Sequence, residues 1–208
     1  MNISVSYLKT PYSKEETIQK IEKTTADYLH VDLMDGLFVD DNNFTWEETW
    51  PLLNKVTKPL DIHLMTLDVE HHIKNARVLN PEFITFQLEA AKYIKDCIEL
   101  VKSSGIKCGI AISPETLVEE IEPYLKKIDL VLVLSVHPGQ GGQKFIPETI
   151  EKLARLKELK KDYNFMIEVD GGMNEKTIDL VREYADIIVS GSYICEADDM
   201  EKAIKKLK

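Results

Sequence analysis

The chain has 208 residues, 44% hydrophobic and 30% charged, enough for one domain with a substantial core. Its net charge of −10 excludes the basic surface that generic nucleic-acid or anionic-membrane binding needs, although a few oriented backbone N–H groups can still hold one phosphate. No stretch reads as a secretory leader or reaches the roughly 20 apolar residues of a spanning helix, so a cytoplasmic protein is expected.

Short β-branched runs alternate with longer helical patterns along the whole chain. In order, the predicted elements are strand 3–7, helix 14–24, strand 26–33, helix 45–54, strand 60–65, helix 69–78, strand 83–88 and helix 90–103. They continue with strand 107–112, helix 114–124, strand 130–135, helix 147–161, strand 164–169, helix 175–184, strand 186–190 and helix 198–207. Gly105 predicts a C-terminal stop for helix 90–103. Ser113-Pro114 reads as a cap with proline at the first helical position. Ile150, Leu153 and Leu156 define the face of helix 147–161 that covers the sheet. Eight such units predict a parallel sheet with helical crossovers, closed as a (β/α)8 TIM barrel over one domain, 1–208. An open doubly wound sheet is the alternative, but no Gly-rich dinucleotide fingerprint follows the first strand.

In such barrels chemistry sits where strands end. The second strand ends in His30-Val31-Asp32-Leu33-Met34-Asp35-Gly36, and period-2 alternation puts His30, Asp32 and Met34 on one face. The third ends in Asp61-Ile62-His63-Leu64-Met65, with His63 and Met65 sharing a face. The seventh ends in Glu168-Val169-Asp170-Gly171-Gly172. His30, Asp32, His63 and Asp170 can therefore converge as a His2Asp2 set suited to zinc or another borderline divalent ion. Taken singly, each reads equally well as a loop cap. Glycines follow three successive late strands: 139, 141 and 142 in His137-Pro138-Gly139-Gln140-Gly141-Gly142-Gln143, then Gly171-Gly172, then Gly191-Ser192. Glycine lets backbone N–H groups approach an anion, so these loops are the candidate phosphate cradle. Cys97, Cys108 and Cys195 lack metal-type spacing and are expected as reduced structural thiols. His71 and His72 are expected at the surface, His137 in loop packing, and 201–208 as the charged face of the last helix.

At these residues the sequence resembles the ribulose-phosphate 3-epimerase family, including allulose-6-phosphate 3-epimerase-like relatives. The matching stretches are HVDLMDGLFV (30–39), KPLDIHLM (58–65), SVHPGQGGQKFIP (135–147), EVDGGMN (168–174) and SGS (190–192), with SYL (6–8) at the first strand end. The resemblance implies a barrel of the ribulose-phosphate-binding type and a C3 epimerase passing through an enediolate, D-ribulose 5-phosphate to D-xylulose 5-phosphate. It implies one divalent ion on His30, Asp32, His63 and Asp170: zinc first, with iron, manganese or cobalt as alternatives. Asp32 and Asp170 become the two acid/base groups. Ser6 and His63 touch the polar end of the substrate, and Met34 and Met65 line the reacting centre, although ordinary core filling explains the methionines equally well. Gly139, Gln140, Gly141, Gly142, Gly171, Gly172, Gly191 and Ser192 hold phosphate and backbone. A phosphorylated ketose is the expected partner, with no nucleic acid and no membrane, in a homo-oligomer.

The sequence also departs from the family pattern. Asp40 and Asp41 replace Pro-Asn after FV, and Gln87-Leu88-Glu89 replaces a strand-four His-x-Glu. Gln140 replaces an aromatic in the glycine loop, His137 precedes its proline, and Leu134 replaces a methionine. None is a predicted ligand; they touch the lid and cavity wall and bear on substrate identity. A decarboxylase or aldol-type synthase on a related barrel is a rival, but its Asp-x-Lys strand end is here Asp61-Ile62-His63. A sugar-phosphate-binding regulatory protein without turnover is the other rival, against which all four ligand types are retained.

Overall fold

Side chains that alternate between two apolar environments dictate the architecture. Along each strand one set of residues packs outward under helices and the other turns into the barrel. The structure is a computed structural model that describes residues 1–41 and 45–208. Its strands are β1 (Asn2–Ser6), β2 (Tyr28–Met34), β3 (Leu60–Met65), β4 (Phe83–Gln87), β5 (Lys107–Ile112), β6 (Leu130–Leu134), β7 (Met166–Asp170) and β8 (Ile187–Ser190). They pair in parallel in sequence order, and β8 closes onto β1 through Ile3↔Ile188 and Ser4↔Val189. This is the predicted closed (β/α)8 barrel.

The helices are α1 (Lys14–Glu22), α2 (Trp46–Leu53), α3 (Val69–Ala76), α4 (Ile94–Lys102), α5 (Val118–Ile121), α6 (Thr149–Leu159), α7 (Ile178–Val181), α8 (Ser192–Cys195) and α9 (Met200–Leu207). Ser13, Asp68 and Asp199 cap α1, α3 and α9 by accepting N–H bonds from Glu16, His71 and Lys202. None of the helices among the described residues is long and apolar enough to cross a membrane. Outward residues such as Val5, Val31, Ile62, Ile84, Ile110, Val133 and Val169 join the helices in one large core. All three cysteines are free and buried.

Several predicted boundaries are corrected. Helix 90–103 begins at Ile94, because Ala90 is still in a turn that donates to the Gln87 carbonyl. Gly105, at φ 75°, does close that helix. Ser113-Pro114 caps nothing. It opens a turn in which Thr116 N–H bonds the Ser113 carbonyl, and the Glu89 carboxylate binds both Ser113 N–H and the Thr116 hydroxyl. The helix starts only at Val118 and tightens to a 3-10 turn over Glu122–Tyr124. Helix 175–184 shrinks to α7 because Asn174 and Thr177 satisfy nearby backbone groups and hold 174–177 as a turn. The four-residue α8 was not predicted. On α6 the buried face is Thr149, Leu153, Leu156 and Leu159, while Ile150 is only half-buried. His71 is exposed as expected, but His72 is half-buried and burial lowers its pKa.

The barrel interior is graded from bottom to top. Phe83, Leu130 and Ile187, with Tyr28 and Met166 against them, plug the N-terminal end. Ser4, His30, Asp61, Thr85 and Glu168 lie above, all fully buried. Ser6, Asp32, His63, Gln87 and Asp170 stand at the C-terminal mouth. Gly109 on β5 leaves room for Thr85. A Cβ there would overlap Thr85 Oγ1 and stand 3.0 Å from Leu130 Cδ2. We therefore expect Gly109→Ala to lower stability by about 1–3 kcal/mol. The denaturant midpoint reads this, and adding Thr85→Ala should recover most of the loss.

Candidate active site

Parallel pairing sets the depth of each functional side chain. In register, His30 lies beside Asp61 and Asp32 beside His63 across β2 and β3. Asp170 is the last residue of β7, opposite Leu134 of β6. One donor atom from each of His30, Asp32, His63 and Asp170 lies within 4.8 Å of the others. All four predicted ligands thus converge.

The histidines are aimed by their neighbours. His30 Nδ1 lies 2.7 Å from Asp61 Oδ2, which also accepts from Ser4 Oγ at 2.8 Å. This leaves His30 Nε2 facing the cluster, 3.3 Å from Asp32 Oδ1 and without a hydrogen-bond partner among the described residues. His63 Nδ1 is 3.2 Å from Asp32 Oδ1, and its Nε2 is 2.9 Å from Gln87 Nε2. The Gln87 oxygen is buried and has no hydrogen-bond partner among the described residues. Ser6 Oγ donates to Asp32 Oδ2 at 2.9 Å and accepts from Leu8 N–H at 3.2 Å.

The electrostatics are those of a site built around positive charge. Burial penalises ionised Asp32, but His30 and His63 outweigh it and hold the carboxyl well below the usual range. Burial also works against charged His30, yet Asp61 and Asp32 raise its pKa well above the ordinary value. At Asp170 the same histidines are outweighed. Burial first, then the Asp32 charge, push it up to about 6. Beneath, burial and the Asp61 charge drive Glu168 well above the ordinary carboxylate value. The set fits a divalent ion: two imidazoles and Asp32 buried, Asp170 half-buried, and a ring nitrogen of His30 with no hydrogen-bond partner among the described residues turned toward them.

Above the cluster opens a pocket of about 660 Å³. Ser6, Asp32, Met65, Gly139, Gln140, Gly141, Gly142, Asp170, Gly171, Gly172, Gly191 and Ser192 line it, as do Leu134 and His137. His30 and His63 lie beneath the lining. Met34 is buried and does not reach it. His137 is exposed and pairs with Glu115 at 3.3 Å. Asp40 and Asp41 border a separate hollow beside the same glycine loop. The sequence reading missed Ser4, Asp61 and Glu168, although each lies two residues before a named residue on the same face. It also missed Lys9, discussed below.

The model of the family described as ribulose-phosphate 3 epimerase matches residues 2–195. Among similar proteins, "Ribulose-phosphate 3-epimerase" of Helicobacter pylori strain J99 is 42% identical over 192 residues, 89% of this chain and 87% of that protein. The protein of the same name from Bacillus subtilis strain 168 is 36% identical over 92% of this chain and 90% of its own length. Another so named, from Methanocaldococcus jannaschii, is 34% identical over 100% and 90%. Among solved structures, 3-hexulose-6-phosphate synthase from Salmonella typhimurium superposes with a TM-score of 0.69 at 15% identity, over 100% of this chain and 96% of that one. KGPDC from Streptococcus mutans gives 0.69 at 14% identity, over 99% and 94%. At these identities the structural likeness is one of fold alone.

Two buried carboxylates facing each other without a cation destabilise the metal-free barrel. Asp170→Asn is therefore expected to melt at the same or a higher temperature than the parent when both are stripped with chelator. Added zinc should raise the melting temperature of the parent by several degrees, since a ligand of the native state stabilises it. The mutant should show little of that rise.

Proposed function

The chain belongs to the ribulose-phosphate 3-epimerase family, and from that premise we propose that it interconverts D-ribulose 5-phosphate and D-xylulose 5-phosphate. The observation that carries this reading is the convergence of His30, Asp32, His63 and Asp170 at the floor of one pocket. The names of the similar proteins favour the five-carbon substrate over a hexulose phosphate or a binding protein without turnover. The reading includes one divalent ion, zinc before iron, manganese or cobalt, a cytoplasmic location and self-association.

The reaction inverts one carbon beside a ketone. A divalent ion on the four ligands would act as a Lewis acid toward the substrate's carbonyl and neighbouring hydroxyl. The residues of the chain do the rest. Asp32 and Asp170 approach from β2 and β7, with β8 and β1 between them, so a flat substrate can lie with one carboxylate on each face. One carboxylate takes the C3 proton, the C–H electron pair moves into an enediolate, and the other acid returns a proton to the opposite face. No atom is gained or lost. The Ser6 hydroxyl orients Asp32, and His30 and His63 flank the same carboxylate. Met65 offers a polarizable, non-acidic wall near the reacting carbons. Glycine loops after β6, β7 and β8 hold the phosphate on backbone N–H groups, with Gly139, Gln140, Gly141, Gly142, Gly171, Gly172, Gly191 and Ser192 in that cradle.

In D2O the enzyme is expected to place deuterium at C3 of both pentulose phosphates. Asp32→Asn and Asp170→Asn should each lower kcat by roughly 10²–10⁴ with an unchanged circular dichroism spectrum. Near-parental turnover in either variant removes that residue from the mechanism. Chelation should abolish activity and a divalent ion restore it.

A further inference from the structure

We propose that Lys9, in the loop after β1, is a phosphate-anchoring residue of the pocket. The proposal rests on the reading of the substrate as a sugar phosphate and adds a charged contact to it. Three observations carry it.

The first is position. Lys9 lies across the glycine loop that follows β6, more than a hundred residues away in sequence. A Cβ placed on Gly141 would stand 2.9 Å from Lys9 Cβ. One placed on Gly142 would overlap Lys9 Nζ and stand 3.0 Å from its Cδ. The stem therefore rests on Gly141 and the ammonium on Gly142. Both glycines and Lys9 line the same pocket as Asp32 and Asp170.

The second is the absence of a competing partner. The chain carries a net charge of −10, and its lysines repeatedly find carboxylates, as Lys206 does with Glu175 and Lys160 with Asp186. Among the described residues Lys9 has neither an ion pair nor a hydrogen bond. Glu175, on the same lining, is already engaged by Lys206 and Tyr193.

The third is what surrounds the ammonium. Among the described residues, the backbone N–H groups of Gln140, Gly141, Gly142, Gly172 and Gly191 donate to no protein acceptor. A free ammonium beside unused N–H donors is complementary to an anion with several acceptor oxygens. A phosphate monoester dianion has that chemistry, and the pocket joins this patch to the buried carboxylates at its other end. Lys9 thus fixes which end of the substrate faces the glycine loops.

Lys9→Met, Lys9→Arg and a remote control, Lys126→Met before β6 at the opposite end of the barrel, test the assignment. Inorganic phosphate titrated against each protein, followed by 31P line broadening, should bind Lys9→Met about tenfold more weakly than the parent, the scale of one charge-assisted contact. Lys9→Arg should recover part of the loss, and Lys126→Met should match the parent. KM for D-ribulose 5-phosphate should rise about tenfold in Lys9→Met with kcat within about twofold, the signature of a contact equal in ground and transition states. High salt should narrow the gap. Phosphate affinity in Lys9→Met equal to the parent, or lowered no more than in Lys126→Met, overturns the proposal. If phosphate binding depends on Lys9 but the parent epimerises no pentulose phosphate, the anion site stands and the epimerase reading falls. If the parent epimerises and Lys9→Met is kinetically unaltered, Lys9 alone is removed.

Discussion

Two carboxylates, Asp32 and Asp170, share the mouth of the barrel, and the surrounding structure is arranged to hold their charge. Ionised carboxylates buried without compensation cost several kcal/mol each. Asp32 is compensated within the chain by His30, His63 and the Ser6 hydroxyl. At Asp170 burial and the Asp32 charge outweigh the two histidines, and the carboxyl is pushed up to about 6. One carboxyl is held well below the ordinary range and the other is pushed above it, and with the two imidazoles they form a cluster that could hold a divalent ion. The layer below extends the same logic. Asp61 orients His30 and is steadied by Ser4, while burial and the Asp61 charge raise Glu168 well above the ordinary carboxylate value.

This polar column needs an unusual barrel interior. Such interiors are commonly filled by branched apolar side chains in layers. Here that filling is confined to the plug around Phe83, Leu130 and Ile187, and to Ala111, Leu132 and Leu134 on one wall. The remaining wall, from β1 through β3 and across to β7, is given over to polar groups, hydrogen-bonded on β1 to β3, while both Glu168 carboxyl oxygens on β7 have no hydrogen-bond partner among the described residues. Charge is thereby graded along the axis: apolar at the bottom, anionic donors in the middle, unused backbone N–H groups at the rim. A substrate with a ketone at one end and a phosphate at the other matches that gradient in one direction only.

Much of this was legible in the sequence, and what escaped did so for physical reasons. All eight strands were found because buried parallel strands carry dense β-branched runs, and β3 and β5 were bounded to the residue. Helix starts were less legible. Residues 90–93, 114–117 and 174–177 carry nothing that forbids helix, and their turns are held by tertiary or side-chain bonds such as Glu89 to Ser113. At four residues, α8 is too short for its periodicity to register. The four predicted ligands stand out because period-2 alternation puts them on the inward face of strands that run to the barrel mouth, although only Asp170 is the last residue of its strand. Asp61 and Glu168 obey the same alternation one step deeper, but a carboxylate expected in the middle of a strand has no sequence signature that separates it from one at the rim. Lys9 was invisible because its contacts are with glycines of the loop after β6.

The central claim is that one divalent ion is held by His30, Asp32, His63 and Asp170. X-ray absorption at the zinc edge of protein loaded with one equivalent of zinc measures this most directly. The account predicts a shell of nitrogen and oxygen donors at about 2.0–2.2 Å, with two imidazoles and no sulfur, and loss of the imidazole scattering in His30→Ala and His63→Ala. A sulfur shell from any of the three cysteines, or a spectrum unchanged by removing both histidines, would contradict it.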